Sequence, residues 1–167
     1  MRFRPVLTTA ACLLLWVGAA QAAVEVTFTG AEKYADGTFR DFRSEKERAE
    51  TQAALRKVFT KLGDRYLAPG QTLTVNVTAL DLAGRFEPWR PFMDDVRFMR
   101  AITWPQMEFT YSVEGGDVPA GTAKLADMNY LNRVNSYPGS DSLRYERQML
   151  TDWFAHTFRT STKAAAH

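Results

Sequence analysis

The chain has 167 residues, of which 46% are apolar and 24% charged, and its formal net charge is +2. This length suits one domain, and the apolar content excludes a disordered chain. The single cysteine, Cys12, lies in an N-terminal apolar run, so the rest of the chain has no residue for disulfide or thiol chemistry.

Residues 1–22 have the pattern of a secretory signal peptide. Arg2 and Arg4 precede an apolar run from Val6 to Ala19, and Ala20-Gln21-Ala22 is a small-x-small cleavage site. A retained transmembrane anchor is the alternative, but the run is shorter than the roughly 20 residues that a bilayer needs. We predict a signal peptide over 1–22, a single domain over 23–159 and a flexible tail over 160–167.

Loss of this segment changes the charge balance. Two of the 21 basic residues leave with it, so 19 remain against 19 acidic residues. A neutral mature chain without a basic stripe excludes nucleic acid and anionic membrane as expected partners, and no transmembrane anchor remains.

The central strand is predicted over Thr72–Leu82. Apolar Leu73, Val75 and Val77 alternate with polar neighbours, which is the period of a strand with one buried face. The alternation slips by one residue at Ala79-Leu80, and such a slip indicates a β-bulge or a bend.

Two helices are predicted to cover this strand. Ser44 and Glu47 form a capping box, apolar residues recur at helical spacing from Leu55 to Tyr66, and Ala68-Pro69-Gly70 ends the helix. The second helix begins after Asp141 or Ser142, and its apolar face consists of Leu143, Met149, Leu150, Trp153, Phe154 and Phe158.

The other strands follow from alternation. Val24–Phe28 is a first strand, and Met107–Val113 pairs through a turn with Gly121–Leu131 as an antiparallel hairpin. We predict loops over 30–43, 83–105 and 132–140, with a short strand near Val96–Ile102. The fold class is α+β, a two-layer domain in which a mainly antiparallel sheet of about four strands carries two helices on one face, in the order βαβββα.

Few residues suit catalysis or metal binding. The mature chain has only His156 and His167, and it contains no nucleophile elbow and no phosphate-binding glycine loop, so we expect neither metal nor cofactor. Carboxylate chemistry stays open, because acids at strand ends and in the long loop could pair and shift one pKa upward. These acids are Asp81, Glu87, Asp94, Asp95 and Asp127. The simpler interpretation is that Asp81 and Asp127 accept hydrogen bonds from loop N–H groups or meet Arg85 or Arg100.

Aromatic residues near turns could bind a partner, or they could close the end of the core. Similarly, Asp127–Leu131 is either a binding lip or a strand end with satisfied polar groups. The candidate partner-binding residues are Arg85, Trp89, Trp104, Asp127, Asn129 and Tyr130.

Five stretches together resemble one protein family. They are PGQTL (69–73), DLAGRFEPW (81–89), ITWP (102–105), DMNYL (127–131) and LRYERQMLTDWF (143–154). They resemble the small exported proteobacterial proteins known as the domain of unknown function 3016 family. The resemblance implies a Gram-negative, periplasmic setting, and it implies no activity or cofactor.

Three functions follow as hypotheses. The leading one is a non-enzymatic periplasmic protein that binds a protein partner or an envelope component. The second is a hydrolase or lyase that acts on cell-wall carbohydrate with loop carboxylates. The third is a structural subunit of an envelope assembly, which would expose a large apolar patch.

Overall fold

The first helix follows from its end signals. The computed structural model describes residues 21–29, 39–40, 44–87 and 96–164. Helix α1 spans Glu45–Tyr66, and the Ser44 hydroxyl accepts a hydrogen bond of 3.1 Å from the backbone N–H of Glu47. Beyond Leu67, the chain turns at Gly70, whose φ of 84° favours glycine. Both predicted ends of this helix are confirmed.

Four long strands form one mixed sheet. They are β1 (Ala23–Phe28), β3 (Thr72–Asp81), β6 (Gln106–Glu114) and β7 (Gly121–Ala126), in the spatial order β1-β3-β6-β7. Strand β1 is parallel to β3, whereas β6 is antiparallel to both β3 and β7. The predicted hairpin is confirmed, and the order of elements is the predicted βαβββα.

Strand β7 is shorter than predicted. It ends at Ala126, because Asp127 turns the chain: its carboxylate accepts from the backbone N–H of Asn129 (3.2 Å), and its carbonyl accepts from that of Tyr130 (3.3 Å). The Asx-turn therefore replaces the strand over the predicted segment 127–131.

The predicted irregularity in the central strand is a β-bulge. Val77 pairs with Phe109 and Ala79 pairs with Glu108, so Thr78 is the extra residue. Before the bulge Leu73, Val75 and Val77 are buried, and after it Leu80 is buried. The bulge thus returns the apolar side chains to the face that they occupied before it.

Both helices pack on the same face of the sheet. Helix α2 spans Arg144–Ala164, and the rings of Phe59 in α1 and Phe154 in α2 lie 6.1 Å apart. Phe109 of β6 contacts both helices, through Phe59 at 5.7 Å and Trp153 at 4.9 Å. The predicted two-layer α+β architecture is confirmed.

The opposite face of the sheet is polar. One row runs across all four strands, through the register partners Thr27, Asn76, Thr110 and Thr122. Its side chains are exposed or half-buried, as expected for the face that the helices do not cover.

Three two-residue strands complete the fold. Strand β2 (Phe39–Arg40) lies in the segment predicted as a loop and pairs with β3 at Leu80 and Asp81. Strands β4 (Arg85–Phe86) and β5 (Arg97–Phe98) form a small separate hairpin, and β5 confirms the short strand predicted near Val96–Ile102. Helix α2 continues to Ala164, while the mobility of the tail stays a prediction.

Candidate functional site

One end of the sheet gathers most of the candidate residues. Strand β3 ends, β6 begins and β7 ends there, because Asp81 is paired with Gln106 and Gln106 with Ala126. Both helices also begin at this end. Helix α1 begins after β2, which pairs with the end of β3, and α2 begins after the connection that follows β7. We call it the loop end.

Two segments of the loop end are tied together by Tyr130. Its side chain is only 1% exposed, and its hydroxyl donates a hydrogen bond of 2.8 Å to the carbonyl of Arg100. Its ring meets Tyr145 of α2 edge to face, with the centroids 4.7 Å apart. Tyr130, a predicted partner-binding residue, therefore holds segment 127–134 against segment 96–105.

Asp127 has a similar structural position. Its side chain is buried, and its Oδ2 lies 2.9 Å from Nη1 of Arg133, whose other nitrogen contacts Asp152 of α2. The neighbouring Asn129 is exposed, and its amide oxygen accepts from the side chain of Asn132 (3.1 Å). Of these two predicted residues, Asn129 alone presents its side chain to solvent.

The remaining predicted residues are separated. Arg85 lies on β4, half-buried, with Nη2 3.7 Å from Oδ2 of Asp81. Trp104 is half-buried just before β6, and its indole nitrogen is buried without a hydrogen-bond partner among the described residues. Trp89 lies outside the described residues. The structure thus brings Arg85, Trp104, Asp127, Asn129 and Tyr130 to one end, but mostly as supporting side chains.

Exposed apolar side chains mark the same end. Among the described residues, the large hydrophobic side chains with high exposure all lie on segments 96–105 and 127–134: Val96, Met99, Ile102, Met128, Leu131 and Val134. We call these six residues the exposed apolar surface. Ile102 is 76% exposed and Val134 is 91% exposed. The sequence analysis did not predict this surface. Its signal in the sequence is the presence of apolar residues in stretches that have neither strand nor helix periodicity.

A buried carboxyl group supports the loop end from inside. Glu146 of α2 is 1% exposed, and its Oε1 accepts a hydrogen bond of 2.8 Å from the backbone N–H of Ala83. Burial raises the pKa of this carboxyl group, although the Ala83 N–H and the charge of Arg97 oppose the shift. The spacing of Glu146 indicates its burial in the sequence. It follows Leu143 by three residues and precedes Leu150 by four, which places it on the apolar face of α2.

A cleft of about 490 Å³ opens between the first turns of α1, the β4–β5 hairpin and the start of α2. Its apolar lining consists of Ala54, Leu82, Phe86, Met99 and Leu143. Its polar lining consists of Glu47, Glu50, Thr51, Arg97 and Ser142. Arg97 is part of the cleft wall, and its guanidinium lies 4.7 Å from the ring centre of Phe86.

The carboxylates considered for catalysis are mostly engaged. Asp81 is paired with Arg85, Glu87 with Arg100 at 2.5 Å, and Asp127 with Arg133. Asp94 and Asp95 lie outside the described residues. In the part of the chain that the structure describes, no three acidic, histidine or cysteine side chains converge as metal ligands. Neither described helix is both long and apolar enough to cross a membrane.

These features define a two-layer α+β domain with an apolar loop end and an adjacent cleft. A family model described as "Protein of unknown function (DUF3016)" matches residues 22–156. The chain belongs to this family, as its five sequence stretches indicated. The searches of curated proteins and of solved structures find no significant match.

Proposed function

We propose that this chain is an exported, periplasmic binding protein that recognises another protein of the cell envelope with its exposed apolar surface. One observation carries the proposal: every large hydrophobic side chain that is highly exposed in the described chain lies on two segments of one end. Scattered exposed hydrophobics are ordinary on a monomer, whereas their concentration on one side is typical of an interaction surface.

The two segments have the support that a binding surface requires. Tyr130 bonds Arg100, and the backbone N–H of Asp127 bonds the carbonyl of Pro105 at 3.2 Å, so segments 96–105 and 127–134 are joined at both contacts. The Asp127–Arg133–Asp152 ion pairs connect the second segment to α2. Apolar side chains held on an ordered backbone lose less conformational entropy on binding than those on free loops.

The charges around this surface favour a protein partner. The arginines near it lie against acids: Arg85 contacts Asp81, Arg100 contacts Glu87, and Arg133 contacts Asp127 and Asp152. Positive charge neutralised in this way gives little attraction for nucleic acid or anionic lipid. An apolar centre with a polar, charge-balanced rim is the usual composition of a protein–protein interface.

The N-terminal sequence supports the periplasmic setting. Residues 1–22 have the composition of a signal peptide, and strand β1 begins at Ala23, immediately after the predicted cleavage site. The family match, which begins at residue 22, agrees with a mature domain of that extent.

The test is a comparison of partner binding by charge-matched variants. Ile102→Glu/Val134→Glu places two acids in the exposed apolar surface, and Thr27→Glu/Thr122→Glu places two on the polar sheet face, on the outer strands β1 and β7. A protein captured from periplasm by the wild type is identified and purified, and its Kd is measured by calorimetry. We expect the first variant to bind at least about ten-fold more weakly, because a carboxylate buried in an apolar interface without a partner costs more than the roughly 1.4 kcal/mol that this factor represents.

Stability of each variant is checked by urea unfolding, and we expect both to remain within about 0.5 kcal/mol of the wild type, as exposed substitutions usually do. The proposal is wrong if the Ile102→Glu/Val134→Glu variant binds the purified partner as the wild type does. It is equally wrong if the sheet-face variant alone loses binding, or if vesicles of anionic lipid bind the wild type in place of a protein.

A further inference from the structure

We propose that the cleft between the two helix starts binds a small amphipathic amine, that is, a molecule with one ammonium group and an apolar body. This inference does not rest on the proposed protein partner, because it concerns a concave site that shares only Met99 with the exposed apolar surface. Its volume of about 490 Å³ is within the range of small-molecule sites.

The inner part of the cleft suits an apolar body. Leu82 and Leu143 are 5% and 4% exposed, so they form a fixed wall that belongs to the hydrophobic core. Ala54 contributes a short side chain at the α1 wall, and Phe86 and Met99 approach from the hairpin side. An alkyl or aryl group entering here would leave water for hydrocarbon contacts on several sides.

The α1 rim suits a cation. Glu47 and Glu50 are three residues apart on α1, so both carboxylates lie along one side of the helix and both line the cleft. The Glu50 side chain is 67% exposed, and its contact with Lys46 is a surface pair at 3.9 Å. Such pairs contribute little, so a ligand ammonium can replace Lys46 without much loss.

Arg97 already has contacts within the protein. Its Nη1 donates to the carbonyl of Ala83 at 3.3 Å, its Nη2 lies 3.9 Å from Glu47, and its guanidinium lies over Phe86. Among the residues that line the cleft, the formal charges are therefore two carboxylates and one engaged guanidinium. The net charge of −1 attracts an ammonium group and repels a carboxylate.

Hydroxyl groups complete the site. Thr51 lies beside Glu47 on α1, and Ser142 lies at the α2 wall, so each offers an oxygen to the cleft. An ammonium group has three N–H donors, and the two glutamates with one hydroxyl could accept all of them.

The experiment uses n-hexylamine as the probe, with hexanoate and hexanol as ligands of the same chain length and different charge. Each is titrated into the ¹⁵N-labelled mature protein at pH 7, and amide shifts of Thr51, Ala54, Leu82 and Met99 report binding. We expect n-hexylamine to shift these amides at concentrations where hexanoate shifts none of them.

Two variants test the two halves of the site. Glu47→Gln/Glu50→Gln removes both charges while keeping side-chain size, and we expect the Kd for n-hexylamine to rise about ten-fold. Ala54→Leu fills the apolar part and should abolish binding of the amine. Glu25→Gln/Asp64→Asn is the control, since it removes the same charge from exposed positions outside the cleft lining and should leave the Kd unchanged.

The outcomes separate clearly. Binding that is weakened by the Glu47/Glu50 variant and not by the control supports the site. Absence of shifts with n-hexylamine overturns the proposal, and so does tighter binding of hexanoate. An equal effect of the control variant also overturns it, because net charge would then explain the binding. Urea unfolding confirms that Ala54→Leu is folded, and the Glu47/Glu50 variant decides the outcome if it is not.

Discussion

Glu146 lies on the apolar face of α2, where helical spacing predicts an apolar residue. It lies on the Leu143–Leu150 side of the helix, and one of its oxygens, Oε2, is buried without a hydrogen-bond partner among the described residues. The other oxygen holds the N–H of Ala83, just after the central strand. The facing charges are Arg97, which favours the carboxylate, and Asp141, which disfavours it. Burial is the largest influence, and it raises the pKa of Glu146 above the ordinary value of 4.5.

This position gives the fold a defined pH dependence. A carboxyl group whose pKa is higher in the folded than in the unfolded state stabilises the fold fully below the unfolded pKa. That contribution is lost as the pH rises through the folded pKa of Glu146. Glu146→Gln cannot titrate, so we expect its free energy of unfolding to fall less than that of the wild type as the pH rises from about 4.5 towards neutrality.

Urea unfolding at several pH values measures this difference. Glu114→Gln, at an exposed position on β6, is the control and should follow the wild type at each pH. Parallel curves for the wild type and Glu146→Gln would show that the carboxyl group does not titrate differently in the folded state.

Among the elements, those with a local pattern could be predicted and those that depend on distant contacts could not. Alternation identified β3 and even its bulge, and the Ser44–Glu47 pair located the start of α1. In contrast, β4 and β5 have only two residues each, and Arg97 over Phe86 is part of what holds them together. A short strand near Val96–Ile102 was predicted, but no periodicity is visible in two residues, so β4, its pairing with β5 and the cleft beside them could not be inferred.

The sequence predicted where the candidate site lies but not the role of each side chain in it. Strand ends and turns pointed to the loop end, but side-chain roles there depend on burial. Its position near a turn predicts that Tyr130 binds a partner, yet its hydroxyl donates to the carbonyl of Arg100, so the ring supports the loops from inside. The exposure of Ile102 and Val134 could not be predicted, because tertiary packing decides whether an apolar loop residue is buried.

Helix α1 approaches β1 closely at one residue, Gly63. Gly63 is buried, and a Cβ atom there would lie 2.2 Å from Cγ2 of Val24. Alanine gains up to about 1 kcal/mol of helix propensity over glycine, but overpacking typically costs about 1–3 kcal/mol. Val24 is β-branched and cannot readily turn its methyl group away. We expect Gly63→Ala to lower the free energy of unfolding by about 1 kcal/mol.

A second substitution tests the cause. Gly63→Ala/Val24→Ala removes the clash, so the two changes should be non-additive, with the Gly63→Ala change less harmful in the Val24→Ala background. Asp64→Ala, on the exposed side of the same helix, serves as the control for helix propensity alone. If Gly63→Ala stabilises the wild type as Asp64→Ala does, the close approach is not a constraint.

At the scale of the whole molecule, the strands differ in how firmly they are held. Strand β3 lies between β1 and β6, with Leu73, Val75 and Val77 all fully buried. Strand β1 is at the edge, and each of its residues is exposed or half-buried. Edge elements with little burial open at lower free energy than central ones.

Hydrogen exchange measures this difference. We expect the hydrogen-bonded amides of β1 to exchange at least about ten-fold faster than those of Leu73–Val77, a difference of about 1.4 kcal/mol in opening free energy. Equal protection of the two strands would indicate that β1 and β3 open only together, in global unfolding.

The bulge at Thr78 gives the central strand one position at which a residue can be lost without a change of face. Val77 and Ala79 pair with the adjacent residues Phe109 and Glu108, so deleting Thr78 would join the two halves of β3 in unbroken register. Leu80 would still face the helices and Asp81 would still face away from them, as both do with the bulge in place. A single-codon deletion at Thr78 would therefore keep the parity of the strand, whereas deleting Thr110 from β6, which has no extra residue, would put Phe109 and Tyr111 on opposite faces of the sheet.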